Sequence, residues 1–189
     1  ITANDQNRIY GEENRVFTAS YTGFVNGEDL SRSGVSGAPA MQTNATAATA
    51  AGVYDITIGT GTLQSSNYNF NFVNGKLSIG KATLTVTADD KQRIYGQSNP
   101  QLTATITGYR NGQTSANSGV SGTPSLSTTA IPSTDAGLYD ISADLGTLSA
   151  QNYDFIFVKG SLTIGKARIT ITAENKSRLR SEEHTSELQ

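Results

Sequence analysis

The sequence has no cysteine and no tryptophan, a single methionine, a single histidine and four prolines among 189 residues. Without cysteine there is no disulfide framework and no thiolate to act as nucleophile or metal ligand. That absence suits a bacterial secreted protein that folds without disulfides, although it does not fix the compartment. The lone histidine, His184, lies in the last ten residues. The rest of the chain therefore offers no imidazole base for a nucleophilic triad and neither of the ligands that zinc and copper prefer. Charge is also scarce: Asp, Glu, Lys and Arg make up 16%, with a formal net charge of −2. A nearly neutral, mildly acidic chain has no electrostatic hold on nucleic acid or anionic lipid. No run of 18 apolar residues is present, so direct membrane insertion is not expected. No initiating methionine or signal-like stretch is seen, and the opening "ITAND" reads as mid-strand, so the chain is taken as part of something longer. The hydrophobic content of 35% is low, but disorder usually pairs that with high net charge, which is missing.

What is there is repetition. "RIYGEENRVFTASYTGF" at 8–24 returns as "RIYGQSNPQLTATITGY" at 93–109. Tyr10 aligns with Tyr95, Gly37 with Gly122, Tyr54 with Tyr139, Tyr68 with Tyr153 and Lys81 with Lys166, every pair offset by 85 with no gap. Residues 1–80 laid on 86–165 agree at 40 positions. Glycines at turns and apolar or aromatic residues recur, while polar positions drift. The expected units are a first repeat at 1–80 with a truncated opening strand, a complete second repeat at 81–165, and the start of a third at 166–178, where "KARITITAENKSR" matches "KATLTVTADDKQR". Residues 179–189 are read as non-native: Arg180–Gln189 resembles, without a mismatch, the translation of a common short-read sequencing adapter.

Strand patterns dominate. Leu84 and Val86 alternate with Thr83, Thr85 and Thr87, and Tyr68, Phe70 and Phe72 share one face. Asn74–Gly75 predicts a two-residue hairpin, whose central positions need positive φ. The "AGVYDI" and "AGLYDI" stretches resemble the entry to strand F of immunoglobulin-like sandwiches, with Tyr54 and Tyr139 placed for a tyrosine corner. The expected fold is all-β: tandem small immunoglobulin-like β-sandwich modules in an extended string. The alternative is a β-grasp-like module with one short helix. No Gly, Ser or Pro linker separates "LSIG" from "KATLTVTA", so a stiff joint is expected, each module adding about 30–40 Å of length.

Together these residues resemble the MBG-type repeat of bacterial cell-surface proteins. The second copy carries its pattern at Tyr95, Gly96, Asn99, Pro100, Gly108, Tyr109, Asn111, Gly112, Gly137, Tyr139, Ile141, Asn152, Tyr153, Leu162, Ile164, Lys166 and Ala167; the first departs at Arg15, where proline would stand. The resemblance implies a secreted, cell-surface setting in large multi-repeat adhesins similar to filamentous haemagglutinin. It implies no catalytic residues.

Chemistry-bearing motifs are few. Gly75–Ala82 and Gly160–Ala167 match G-x-x-x-x-G-K, but alanine replaces the Ser or Thr that would hold Mg²⁺ and a strand follows instead of a helix. Asp89 with Asp90, and Asp135 with Asp140, are the acidic pairs that weak calcium binding would use, without the loop such a site needs. Neither cofactor nor catalysis is expected. Arg8, Tyr10, Arg93 and Tyr95 are the candidate ligand contacts, as exposed Arg–Tyr pairs that could stack on sugar. The competing assignment, favoured here, makes Tyr10 and Tyr95 packing residues and Gly11 and Gly96 turns, with Tyr54, Tyr139, Tyr68 and Tyr153 also structural. Three functions stay open: a stalk or spacer of a surface adhesin whose partners are adjacent repeats of the same polypeptide; a module that itself binds glycan or host matrix protein; an accessory domain of a surface enzyme.

Overall fold

The structure, a computed structural model, describes residues 1–178. The adapter-like segment and His184 lie outside the described residues. Thirteen strands and no helix are found among those described, so the fold is all-β and the helix-bearing alternative is set aside.

The second repeat shows the plan. β7 (Ala82–Ala88) opens it, followed by β8 (Lys91–Ile94), β9 (Ala104–Thr107), β10 (Ser125–Ser127), β11 (Gly137–Asp144), β12 (Tyr153–Val158) and β13 (Gly160–Gly165). β7 lies centrally in a three-stranded sheet, parallel to β12 and antiparallel to β9. β10, β11, β13 and β8 form a four-stranded sheet in that order. The two sheets face each other, and the strand alternation decides what lies between them. Ala82, Leu84 and Val86 of β7 are buried, as are Ile141 of β11 and Leu162 and Ile164 of β13. The outward Leu138 and Ile156 stay in water. This is a β-sandwich.

The opening strand belongs to both sheets. β7 and β8 are separated only by Asp89 and Asp90, and at that pair the chain crosses from one sheet to the other. β12 and β13 make the same crossing, from the three-stranded to the four-stranded sheet, at Lys159. They are not hydrogen-bonded to each other, which corrects the hairpin reading of the Gly turn. Gly160, and its counterpart Gly75, do not have positive φ. Each is needed for a different reason: a Cβ at Gly160 would lie 2.2 Å from the Ala88 carbonyl oxygen, and one at Gly75 would lie 2.5 Å from that of Ala3. The two crossings pass so close that only hydrogen fits.

The first repeat follows the same plan. β1 (Thr2–Ala3) pairs with β3 (Ala19–Ser20). β4 (Ala40–Gln42), β5 (Gly52–Gly59), β6 (Gly75–Gly80) and β2 (Gln6–Ile9) form the four-stranded sheet, with β2 parallel to β6. Residues 68–73, the counterpart of β12, touch β1 through a single parallel bridge, Thr2 to Val73. Tyr68, Phe70 and Phe72 do alternate as half-buried positions there. Residues 166–178, expected to begin a third repeat, form no strand: Ile169 is 88% exposed, whereas Leu84, which occupies the same place in the second repeat, is fully buried. β7 is a strand because β12 and β9 flank it, and residues 166–178 have no such neighbours.

Candidate functional site

The residues singled out from the sequence gather at the two ends of each repeat. Arg8 sits at the end of β2 and is buried. Its Nε donates to Asn14 Oδ1 at 2.8 Å and its Nη2 to the Thr46 carbonyl at 2.6 Å, while Asn14 Nδ2 donates to the Ala45 carbonyl at 2.7 Å. Arg93 repeats this with Asn99, Ile131 and Ala130. Each guanidinium thus ties two loops together through carbonyl and amide oxygens, and among the described residues neither pairs with a carboxylate. The expectation of exposed arginines is corrected: both are spent inside the repeat. The recurring Asn six residues after each Arg was the available signal, since a buried guanidinium needs acceptors fixed around it.

Tyr10 is also buried, at 3% exposure, and what covers it is the second repeat. Its ring meets Tyr153 edge to face, with centroids 5.5 Å apart and planes at 82°. Tyr153 in turn meets Tyr109 at 6.1 Å and 80°. Such edge-on contacts suit the ring quadrupole and add to the burial. The Tyr153 hydroxyl accepts from the Arg110 amide at 2.9 Å and donates to Gln113 Oε1 at 2.6 Å. The Tyr109 hydroxyl is buried with no partner. Burial, and then the neighbouring Tyr153, push its pKa up.

Polar bonds close the rim of this joint. The Ala51 amide donates to Asn152 Oδ1 at 3.0 Å, and Asn111 Nδ2 donates to the Ala47 carbonyl at 3.2 Å. Lys81 Nζ reaches the Ala150 carbonyl at 3.3 Å and Asp154 at 3.4 Å. Lys81 is the only residue between β6 and β7, and the next amide, Ala82, donates to the Asn152 carbonyl at 2.9 Å. Gly11, at φ +88°, faces Arg110: a Cβ there would lie 2.5 Å from the Arg110 Cβ. Gly11 therefore serves twice, as a turn and as a point of close approach. Gly96 has the same φ and nothing within 4 Å. Of the four candidate contacts only Tyr95 presents its ring to solvent, at 44% exposure.

The corner tyrosines lie elsewhere. Tyr54 donates its hydroxyl to the Ala50 carbonyl at 2.9 Å, and Tyr139 to that of Asp135 at 3.0 Å. Each spans the turn that leads into β5 or β11. Tyr68 donates to Glu28 at 2.6 Å, and that bond, above other effects, raises its pKa.

Three of the four acidic side chains considered for calcium are engaged within a repeat. Asp89 accepts from the Thr103 and Thr105 hydroxyls, Asp90 from the amide and hydroxyl of Ser161 at 2.7 Å, and Asp140 pairs with Lys159 at 2.8 Å. Asp135 contributes its carbonyl to Tyr139. Among the described residues no group of three or more metal-ligating side chains comes together. The concave surfaces are shallow; one is polar, lined by Asp5, Gln6, Asn7, Arg15, Val16 and Ser78.

Residues 1–78 and 84–163 each match the family model described as MBG domain (YGX type). The two matches divide the chain where the structure does. No curated protein matches the chain.

Proposed function

Because the chain belongs to the MBG domain (YGX type) family, a family of repeat modules of surface proteins, we propose that its two repeats are stiff spacer units in the stalk of a secreted bacterial surface adhesin. The observation that carries this reading is the joint. One residue, Lys81, separates the last strand of one repeat from the first strand of the next, and Tyr10 is locked under the Tyr153–Tyr109 pair. A flexible linker would let neighbours rotate freely. Here rotation would break the Ala51–Asn152 and Asn111–Ala47 bonds and expose the buried tyrosine. Holding a distant tip away from a cell needs resistance to bending, and this joint supplies it.

The reading is tested in two steps. Spin labels placed one on each repeat, at the exposed Thr105 and Asn7, should give a single narrow distance distribution. A broad one would remove the spacer function. The chain is then displayed multivalently over glycan and matrix-protein arrays, since avidity reveals weak sites. Blank arrays agree with the spacer reading. Saturable binding that Tyr95→Ala abolishes would replace it with an adhesive one.

A further inference from the structure

The first and last segments of a repeat follow the same two-step path, and the two paths run side by side. In the second repeat the first path is β7, the Asp89–Asp90 crossing and β8; the last is β12, the Lys159 crossing and β13. β12 pairs with β7 in parallel over six register positions, from Tyr153 opposite Ala82 to Val158 opposite Thr87. β13 pairs with β8 in parallel over four more, from Leu162 opposite Lys91 to Gly165 opposite Ile94. Main-chain bonds extend the pairing at both ends. The Ala82 amide donates to the Asn152 carbonyl at 2.9 Å, and the Tyr95 amide to that of Gly165 at 2.8 Å.

The two crossings sit at one level and interlock. Asp90 Oδ1 accepts from both the amide and the hydroxyl of Ser161, each at 2.7 Å. The first repeat builds the same tie: the Lys76 amide donates to Asp5 Oδ1 at 2.7 Å, beside the parallel pair of β2 and β6. Only the hydrogen of Gly160 fits against the Ala88 carbonyl. One path therefore cannot slide along the other without dragging a corner over a corner.

Lys81 delivers the chain to Ala82, at the start of the first path, and the last path finishes at Gly165. Because the paths are parallel, those two points lie at opposite ends of the pair. Tension along the chain pulls the two paths past each other along their own length. The evenly spaced bonds of a parallel pair are then loaded together, and none is peeled off singly. A pair pulled apart from one end would instead open one bond at a time.

We propose a further function for the repeats: each bears tension, its parallel first and last segments acting as a clamp loaded in shear. The joint passes the load from β6 through Lys81 directly into β7, with no linker to take up slack. The clamp lies within a repeat, so the inference stands apart from the spacer reading. A broad spin-label distribution would remove that reading and leave this one in place.

Single-molecule force spectroscopy on the full chain tests it, because forced unfolding reads the unfolding rate and not the equilibrium stability. The sequence has no cysteine, so paired cysteine substitutions place the handles uniquely. Handles at Lys81→Cys and Lys166→Cys shear the clamp of the second repeat. Handles at Lys81→Cys and Gln151→Cys pull at the same end of β7 and β12 and peel them apart. Both chains lose Lys81, so the joint is altered equally in the two. The rupture force should be several times larger in shear than in peel. In the shear direction, Asp90→Ala should lower it. Tyr139→Phe removes the corner bond to the Asp135 carbonyl, outside the paired segments; it should lower the melting temperature and leave the shear force unchanged. Equal forces in the two directions, a shear force that Asp90→Ala does not lower, or one that Tyr139→Phe lowers as much would each overturn the proposal.

Discussion

At the scale of single residues, the two copies form a built-in control. Tyr10 and Tyr95 have the same neighbours in sequence and the same backbone bonds, yet one is buried and the other half exposed. Tyr10→Ala should therefore cost about 3–5 kcal/mol, the usual range for removing a buried aromatic side chain, whereas Tyr95→Ala should cost less than about 1 kcal/mol. Urea unfolding of the two variants measures the difference, and equal losses would mean that the joint contributes nothing. Tyr109 makes a second case. Its hydroxyl is buried without a partner, and a buried orphan costs on the order of 1 kcal/mol or more. The first repeat has Phe24 at the same position. Tyr109→Phe should then raise the urea midpoint; a lower midpoint would mean that the hydroxyl is satisfied in solution.

At the scale of elements, the sheet crossing between β7 and β8 depends on two carboxylates. Hydrogen bonds from Thr103 and then Thr105 lower the pKa of Asp89, and bonds from Ser161 lower that of Asp90. Both values lie below the unfolded one of about 3.9. The stability they contribute is thus complete above the unfolded value and is lost as pH falls through the depressed folded values. Unfolding midpoints measured from pH 6 down to pH 2 should drop in the acid limb, and the double substitution Asp89→Asn, Asp90→Asn should flatten that drop. The drop should persist in part, because Asp29 is also depressed, chiefly by its bond from Ser31. An unchanged acid limb in the double variant would show that the crossing does not need its charges.

At the scale of the whole molecule, one buried cluster runs through both repeats, joining Ala3, Tyr10 and Leu77 of the first to Ala82, Leu84 and Tyr153 of the second. A second cluster, around Ile141 and Leu162, belongs to the second repeat alone. Units that share a buried interface unfold together to the extent that the interface term is large. The chain should melt in a single calorimetric transition. Inserting Gly-Ser-Gly-Ser after Lys81 should split that transition in two and lower the first midpoint. A single transition that survives the insertion would place the coupling outside the Lys81 joint.

Much of this was legible without coordinates. The 85-residue offset, the period-two alternation in residues 82–88 and the paired tyrosines near the starts of β5 and β11 determined the number of repeats, the all-β class and the two corners, because those properties are local and were written twice. The joint was half legible: a missing linker announced a short junction, and Lys81 alone separates β6 from β7, but nothing local distinguishes Tyr10 from Tyr95. Their difference comes from what lies beyond each in space. Gly75 shows the same division, since Asn-Gly is a turn signal on its own, yet here the glycine is present because another crossing passes within touching distance. Arg8 looked exposed for the same reason: the Thr46 carbonyl that its Nη2 reaches lies 38 positions away. The sequence by itself determined which residues alternate, turn and repeat. Only the tertiary structure decided which of two identical residues is buried, because burial depends on the neighbour that arrives.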